Sequence, residues 1–174
     1  MSSPITCRVK PYIQPFERKL ALRELEVLAD DTPRPLPVID GDAQCFRVEP
    51  NATAKVLARE LAFWEVICGE RTLTTTQSLR ESTVNVVRNG ISLEALASQL
   101  PFKQDIPLPN RRCLRYGTHG LHEYRGKFFP QLVRSFINIA GVPPGGLIAD
   151  PFCGSGTTAV EAGFAKRRAL GPVM

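Results

Sequence analysis

The 174-residue sequence lacks an apolar run of membrane length, and its first residues lack both the basic and the apolar segments of a secretion signal. A cytoplasmic protein that does not enter a membrane is therefore expected. A paired or clustered cysteine pattern is lacking as well, because the five cysteines are odd in number and widely spaced, with no C-x-x-C pair. The sequence thus predicts neither a disulfide framework nor a zinc ribbon. It also contains no repeat and no low-complexity tract.

The composition, 43% hydrophobic and 22% charged, is typical of a globular chain with room for one domain or slightly more. The net charge of +5 is concentrated in residues 111–134, which contain six basic residues and a single acidic one, Glu123. Such a cluster is a candidate phosphate-binding surface, although a solvated basic face explains the charge equally well. The candidate nucleic-acid contacts are Arg111, Arg112, Arg115 and Arg125.

Residues 1–110 are predicted to form a mainly helical region of unknown role. Apolar residues recur at helical spacing, and the predicted helices cover residues 15–28, 54–68 and 92–100. Trp64 has apolar rather than basic helical neighbours, so we expect it to anchor the core instead of stacking on a base. The proline-containing stretch 102–112 marks the boundary to a second unit, residues 111–174.

A further helix is predicted to begin at Pro130, since proline is favoured in the first turn of a helix, and to end at Gly141. Its apolar face comprises Leu132, Val133, Phe136, Ile137 and Ala140. The loop before this helix contains Cys113, His119 and His122. We expect no metal site there, because no fourth ligand lies at a usable spacing.

The most informative stretch follows that helix. Residues 147–149 form a short apolar strand that ends at Asp150. Gly154 and Gly156 allow the backbone to approach a ligand, and the residues after them open a helix whose free N–H groups can bind an anionic group. Strand, turn and helix together predict the nucleotide-binding corner of a doubly wound sheet. The glycine spacing also fits a dinucleotide fingerprint, but the carboxylate of Asp150 would repel a pyrophosphate and attract a cationic cofactor.

Residues 150–158, DPFCGSGTT, closely resemble the S-adenosylmethionine (SAM) motif of amino-group DNA methyltransferases, the adenine-N6 and cytosine-N4 enzymes. Residues 122–130 resemble the element that precedes this motif and walls the methionine end of the cofactor. The resemblance, over residues 111–170, implies an α/β fold: the start of a Rossmann-like domain with an incomplete sheet. It implies SAM as cofactor, DNA as partner, and a cofactor site made of Tyr124, Lys127, Phe128, Asp150, Pro151, Phe152, Cys153, Gly154, Ser155, Gly156, Thr157 and Thr158.

Two departures from the family pattern affect the expected activity. The family activates the amino nitrogen with an Asp/Asn/Ser-Pro-Pro-aromatic loop, whereas the only Pro-Pro here, residues 143–144, lies between Val142 and Gly145. The acid that binds the ribose in the family is also missing after the predicted strand at 168–170. No catalytic residue is therefore assigned, and the chain alone is expected to be inactive.

We expect an N-terminal fragment of such an enzyme, produced by truncation or a frameshift, or one half of a split enzyme whose second chain carries the catalytic half. Two alternatives stay open at this point. The first is a fragment of an RNA guanine-N2 methyltransferase, whose cofactor loop is similar. The second is a non-catalytic DNA-binding or regulatory remnant.

Overall fold

The structure is a computed structural model that describes residues 3–37, 44–88, 116–120 and 126–172. The predicted helix at 92–100 and the predicted boundary at 102–112 lie outside these ranges. Within them, no helix is both long enough and apolar enough to cross a membrane.

The N-terminal unit is built on a five-stranded sheet in which every neighbouring pair of strands is antiparallel. Its elements are β1 (Ile5–Val9), α1 (Pro15–Ala29), β2 (Arg34–Pro35), β3 (Cys45–Val48), α2 (Ala54–Glu60), β4 (Trp64–Cys68), β5 (Thr72–Thr74) and α3 (Thr76–Arg88). The strand order is β2-β3-β1-β4-β5. The first six elements follow the β-α-β-β-α-β order of ferredoxin-like folds, and β5 extends the sheet at the β4 edge.

Alternation along β1 shows why this segment forms a strand. Ile5, Cys7 and Val9 are buried on one face, as the two-residue period of a strand requires. On the same core, the Trp64 ring meets Phe46 edge-on at a centroid distance of 5.8 Å, and its Nε1 donates to the Ala21 carbonyl at 3.2 Å. The prediction that Trp64 anchors the core is confirmed.

The predicted first helix is confirmed as α1. Gln14 and Glu17 form a capping box at its start, and Asp30 ends it in the left-handed conformation at φ 55°. The predicted second helix is wrong beyond Glu60. Its apolar residues fit a helical period, but the chain leaves the helix at Leu61, and β4 begins at Trp64. Four of the five β4 residues are buried, and such a short, continuously buried run cannot be told from a helix by periodicity alone. The described part of residues 1–110 therefore combines the helices α1, α2 and α3 with a five-stranded sheet that was not predicted.

The C-terminal part contains two parallel strands joined by a helix. Its elements are a 3-10 turn (Gly117–Gly120), α4 (Pro130–Ile139), β6 (Leu147–Ala149), α5 (Thr157–Phe164) and β7 (Arg168–Leu170). In register, Leu147 lies opposite Arg168 and Ala149 opposite Leu170. Both predicted strands and the helix opening at Thr157 are confirmed, and a β6-α5-β7 unit is the repeating unit of a doubly wound sheet. The α/β class is also confirmed.

Helix α4 lies between the two parts of the molecule. Pro130 occupies its first turn and Gly141 follows it at φ 62°, as predicted. Its predicted apolar face is only partly correct: Val133 and Ile137 pack in a small core with α5, but Phe136 is 53% exposed. The opposite face is buried although it is polar, because it packs against α1 and α2. That face carries Gln131, Arg134, Ser135 and Asn138.

Candidate cofactor site

The loop between β6 and α5 is held in a tight turn. The Asp150 N–H donates to the Leu170 carbonyl at 2.8 Å, and Asp150 Oδ1 accepts the Phe152 N–H at 3.0 Å. Gly154 and Gly156 adopt φ values of 48° and 78°, a region that a side chain disfavours. The glycines therefore stand where the sequence predicts a sharp turn at the carboxyl end of a strand.

This loop forms one wall of a cavity of about 210 Å³. The opposite wall comes from the segment just before α4. The lining residues are Gly126, Lys127, Phe128, Asp150, Phe152, Cys153, Gly154, Ser155, Thr157 and Thr158. The structure thus brings nine predicted cofactor residues around one cavity. Pro151 and Gly156 belong to the turn without lining the cavity, and Tyr124 lies outside the described residues.

Two opposite charges line this cavity. Asp150 is half-buried at the end of β6, and its Asx turn fixes the carboxylate. Lys127 comes from the other wall, and its Nζ donates to the His119 carbonyl at 2.7 Å. A ligand that carries both an ammonium and a carboxylate would meet an opposite charge on each wall.

A second, more apolar cavity of about 350 Å³ adjoins the first. Phe128, Asp150 and Thr158 line both cavities. The remaining walls are apolar residues of α4, of β6 and of the turn between them, among them Leu132, Phe136, Val142 and Ile148.

A buried polar cluster, which was not predicted from the sequence, supports the wall that carries Lys127. Glu161 on α5 is fully buried. Its Oε1 accepts the Tyr116 hydroxyl at 2.8 Å and lies 2.9 Å from His119 Nε2. Burial, followed by the charge of Glu161, raises the pKa of Tyr116, so its hydroxyl keeps the proton that it donates. One feature of the sequence could have indicated this cluster: Glu161 is the single charged residue in the sequence of α5.

Residues 121–173 match the UPF0020 family model, the RMKL-like methyltransferase domain. This match includes both walls of the cavity of about 210 Å³. The expectation of a methyltransferase sequence in the second unit is confirmed at this coarser level, without distinguishing a DNA from an RNA enzyme.

Curated relatives match short parts of the chain. A type II methyltransferase, M.MjaII, of Methanocaldococcus jannaschii is 54% identical over 44 residues, which cover 25% of this chain and 8% of that protein. A tRNA (guanine(10)-N2)-dimethyltransferase of Methanothermobacter thermautotrophicus is 44% identical over 48 residues, which cover 28% of this chain and 14% of that protein. The protein of the same name from Methanocaldococcus jannaschii is 39% identical over 46 residues, which cover 26% of this chain and 13% of that protein. The matched regions thus cover only a small fraction of these relatives' length.

The predicted nucleic-acid contacts Arg111, Arg112, Arg115 and Arg125 lie outside the described residues. Arg134, which was counted in the basic segment, is 1% exposed and donates to Glu60 Oε2 at 3.3 Å. Its charge therefore belongs to the protein interior and not to a phosphate-binding surface. Among the described residues, no group of three His, Cys, Asp or Glu side chains is placed to hold a metal ion. Cys113 and His122 lie outside that part of the chain.

Proposed function

We propose that residues 116–172 form the cofactor-binding corner of a SAM-dependent methyltransferase. The observation that carries this proposal is the cavity of about 210 Å³ between Lys127 and Asp150 at the glycine turn. The methionine end of SAM carries one ammonium and one carboxylate, and the two walls offer one charge of each opposite sign. The methyltransferase family match over residues 121–173 supports the same cofactor.

We propose an exocyclic amino group of a nucleobase as the methyl acceptor. Adenine or cytosine in DNA is the leading candidate, because the DPFCGSGTT loop resembles that of the amino-group DNA enzymes and one relative is a type II methyltransferase. Guanine N2 in RNA is the second candidate. It is favoured by two relatives that are named tRNA (guanine(10)-N2)-dimethyltransferases.

The groups that activate the amino nitrogen are not assigned within this chain. Pro143 and Pro144 lie in the turn before β6, where the Gly146 N–H donates to the Pro143 carbonyl at 2.9 Å. Neither neighbour supplies an acceptor side chain or an aromatic ring to hold a base. We propose that catalytic groups come from further polypeptide, either of the same protein or of a second chain.

The proposal is tested by comparing ligands on one protein. S-adenosylhomocysteine, the demethylated form of SAM, should raise the melting temperature more than NAD does. Asp150→Asn should remove most of this shift, because it deletes the charge while the amide oxygen can still accept the Phe152 N–H. Glu70→Gln, at an exposed position away from the cavity, is the matched control and should behave as wild type. A larger shift with NAD, or a full shift in folded Asp150→Asn, would contradict the proposal.

A further inference from the structure

The fully buried Glu161 has a structural consequence at the cofactor cavity. Burying a carboxylate is costly unless hydrogen bonds compensate, and here Tyr116 and His119 both reach the same oxygen, Oε1. These two residues lie outside α5, in the segment that includes the Gly117–Gly120 turn. The carboxylate therefore ties that turn to the helix that begins at the cofactor loop.

The His119 ring is restrained on several sides. It is 2% exposed and packs edge-on against Tyr116 at 5.3 Å and against Phe164 at 6.4 Å between ring centroids. A ring fixed in this way also fixes its own backbone. The His119 carbonyl is the acceptor for Lys127 Nζ at 2.7 Å, so the restrained turn holds the ammonium at the cavity wall.

We propose that Glu161 and His119 are positioning residues that place the Lys127 ammonium for the carboxylate of the cofactor's methionine end. This inference rests on the proposed function and extends it to residues that do not line the cavity. The Glu161 carboxylate holds the His119 ring, and the His119 carbonyl in turn holds the Lys127 ammonium. A purely structural role for the same cluster predicts a different outcome, because it would affect every part of the cavity equally.

Two ligands separate these roles. S-adenosylhomocysteine carries the amino-acid end, whereas methylthioadenosine has the same nucleoside without that end. Isothermal titration should show that Lys127→Ala weakens binding of S-adenosylhomocysteine about tenfold, the effect of one lost charge-assisted interaction, and leaves methylthioadenosine unchanged. Glu161→Ala and His119→Ala should reproduce this pattern. Glu161→Gln, which keeps an oxygen acceptor, should restore most of the affinity. Lys55→Ala, at an exposed position on α2, is the matched control.

The decisive measurement is the double variant Lys127→Ala with Glu161→Ala. Because both residues act through one ammonium, the double variant should bind S-adenosylhomocysteine no more weakly than either single variant. Additive losses, or an equal loss for both ligands in folded protein, would overturn the proposal. If Glu161→Ala does not fold, the same cycle with His119→Ala decides the question by the same criteria. Failure of the wild-type protein to bind either ligand would instead overturn the proposed function, and the inference would fall with it.

Discussion

Gly171 lies against the cofactor loop, one residue after β7. A Cβ atom at this position would stand 2.9 Å from Cys153 Cβ and 3.1 Å from the Asp150 carbonyl oxygen. The first distance is shorter than any ordinary carbon contact, so the loop would have to move. The glycines of the loop itself were predictable from the turn they form. The need for glycine at position 171 was not predictable, because it arises from the pairing of β7 with β6, which places Gly171 against Asp150 and Cys153.

Gly171→Ala should therefore displace the cofactor loop. We expect a loss of roughly 1–3 kcal/mol in the free energy of unfolding, the usual cost of overpacking, together with weaker binding of S-adenosylhomocysteine. Urea denaturation and isothermal titration measure the two effects. Gly163→Ala is the matched control, since a Cβ there meets nothing within 4 Å and alanine favours the helix. Equal behaviour of the two variants would contradict the close contact at Gly171.

We expect Glu24 to make the stability of the protein depend on pH. It is fully buried on α1, and its Oε1 accepts the N–H groups of Ala62 and Phe63 at 3.0 and 3.1 Å. Burial raises the pKa of Glu24 from 4.5 to about 7, with hydrogen bonds opposing the rise. Because the folded-state pKa lies above the ordinary value, the contribution of Glu24 to stability is complete below pH 4.5 and is lost as the pH rises through about 7.

Between pH 4.5 and pH 8, wild-type protein should lose about 3 kcal/mol of stability relative to Glu24→Gln, at 1.36 kcal/mol for each pKa unit. Urea denaturation of both proteins across this range measures the difference. The glutamine keeps an oxygen for the two backbone donors but loses the acceptor of Asn138 Nδ2, which lowers its stability by an amount that does not depend on pH. A constant difference between the two proteins at all pH values would show that Glu24 does not titrate in this window.

At the scale of elements, α4 determines how the two parts of the molecule fit together. Asn138 Nδ2 donates to Glu24 Oε2 at 3.2 Å and to the Glu60 carbonyl at 2.9 Å. Arg134 donates to Glu60 Oε2 and to the Glu60 carbonyl, both at 3.3 Å. Arg167, just before β7, reaches the same Glu60 Oε2 at 3.1 Å. The polar face of α4 is thus paired with acids of α1 and α2. Glu60 also binds the β6-α5-β7 unit through its ion pair with Arg167.

The sequence predicted the position of α4 but not this pairing. The apolar stripe, Pro130 and Gly141 are local signals, and they predict where the helix begins and ends. The partners of Arg134 and Asn138 are 74 and 114 residues away in the chain, and no local pattern connects such positions. The wrong prediction of a helix over residues 61–68 has a related cause, since the pairing of β4 with β1 determines the structure of that segment and this pairing is also non-local.

Arg134→Ala should destabilise the protein by roughly 3–5 kcal/mol, the cost of removing one partner from a buried ion pair. Glu60 retains Arg167, but three backbone carbonyls lose the Arg134 guanidinium: those of Arg59, Glu60 and Glu161. Thermal and urea denaturation measure the change. Arg71→Ala, at an exposed position, should change stability by less than about 0.5 kcal/mol. A similarly small effect at Arg134 would mean that the buried pair does not join the two parts in solution.

For the whole molecule, the cofactor corner was largely predictable and the N-terminal sheet was not. Asp150, the glycines and the helix opening at Thr157 lie within a few residues of one another, so a strand, a turn and a helix can be identified from local chemistry. The N-terminal sheet depends on pairing between β1, β3 and β4, which are separated along the chain by helices. The cluster around Glu161 was not predicted for the same reason, because its members are far apart in the chain. Tyr116 precedes Glu161 by 45 positions and His119 precedes it by 42.

The basic segment leads to a prediction about nucleic-acid binding by the whole chain. Arg134 is buried, so the arginines expected to contact phosphates are Arg111, Arg112, Arg115 and Arg125. Binding to duplex DNA should be weak, insensitive to sequence and steeply reduced by salt, because each phosphate contact releases counterions. Replacing Arg111, Arg112 and Arg115 together by alanine should lower the salt slope by about 3, at roughly 0.9 for each lost contact.

Fluorescence anisotropy with a mixed-sequence duplex and with a tRNA, measured from low to physiological salt, tests this prediction. The matched control replaces the exposed residues Lys19, Arg47 and Lys55 by alanine, which changes the net charge equally at other positions. If the control lowers the slope as much as the arginine triple variant does, net charge and not a defined surface explains the binding. An unchanged slope in the arginine variant would show that these side chains do not contact phosphate. The two proposed acceptors share the same cofactor site, so SAM binding cannot distinguish them and nucleic-acid binding can. Stronger binding to tRNA than to the duplex at the same salt concentration would favour the RNA acceptor over the DNA acceptor.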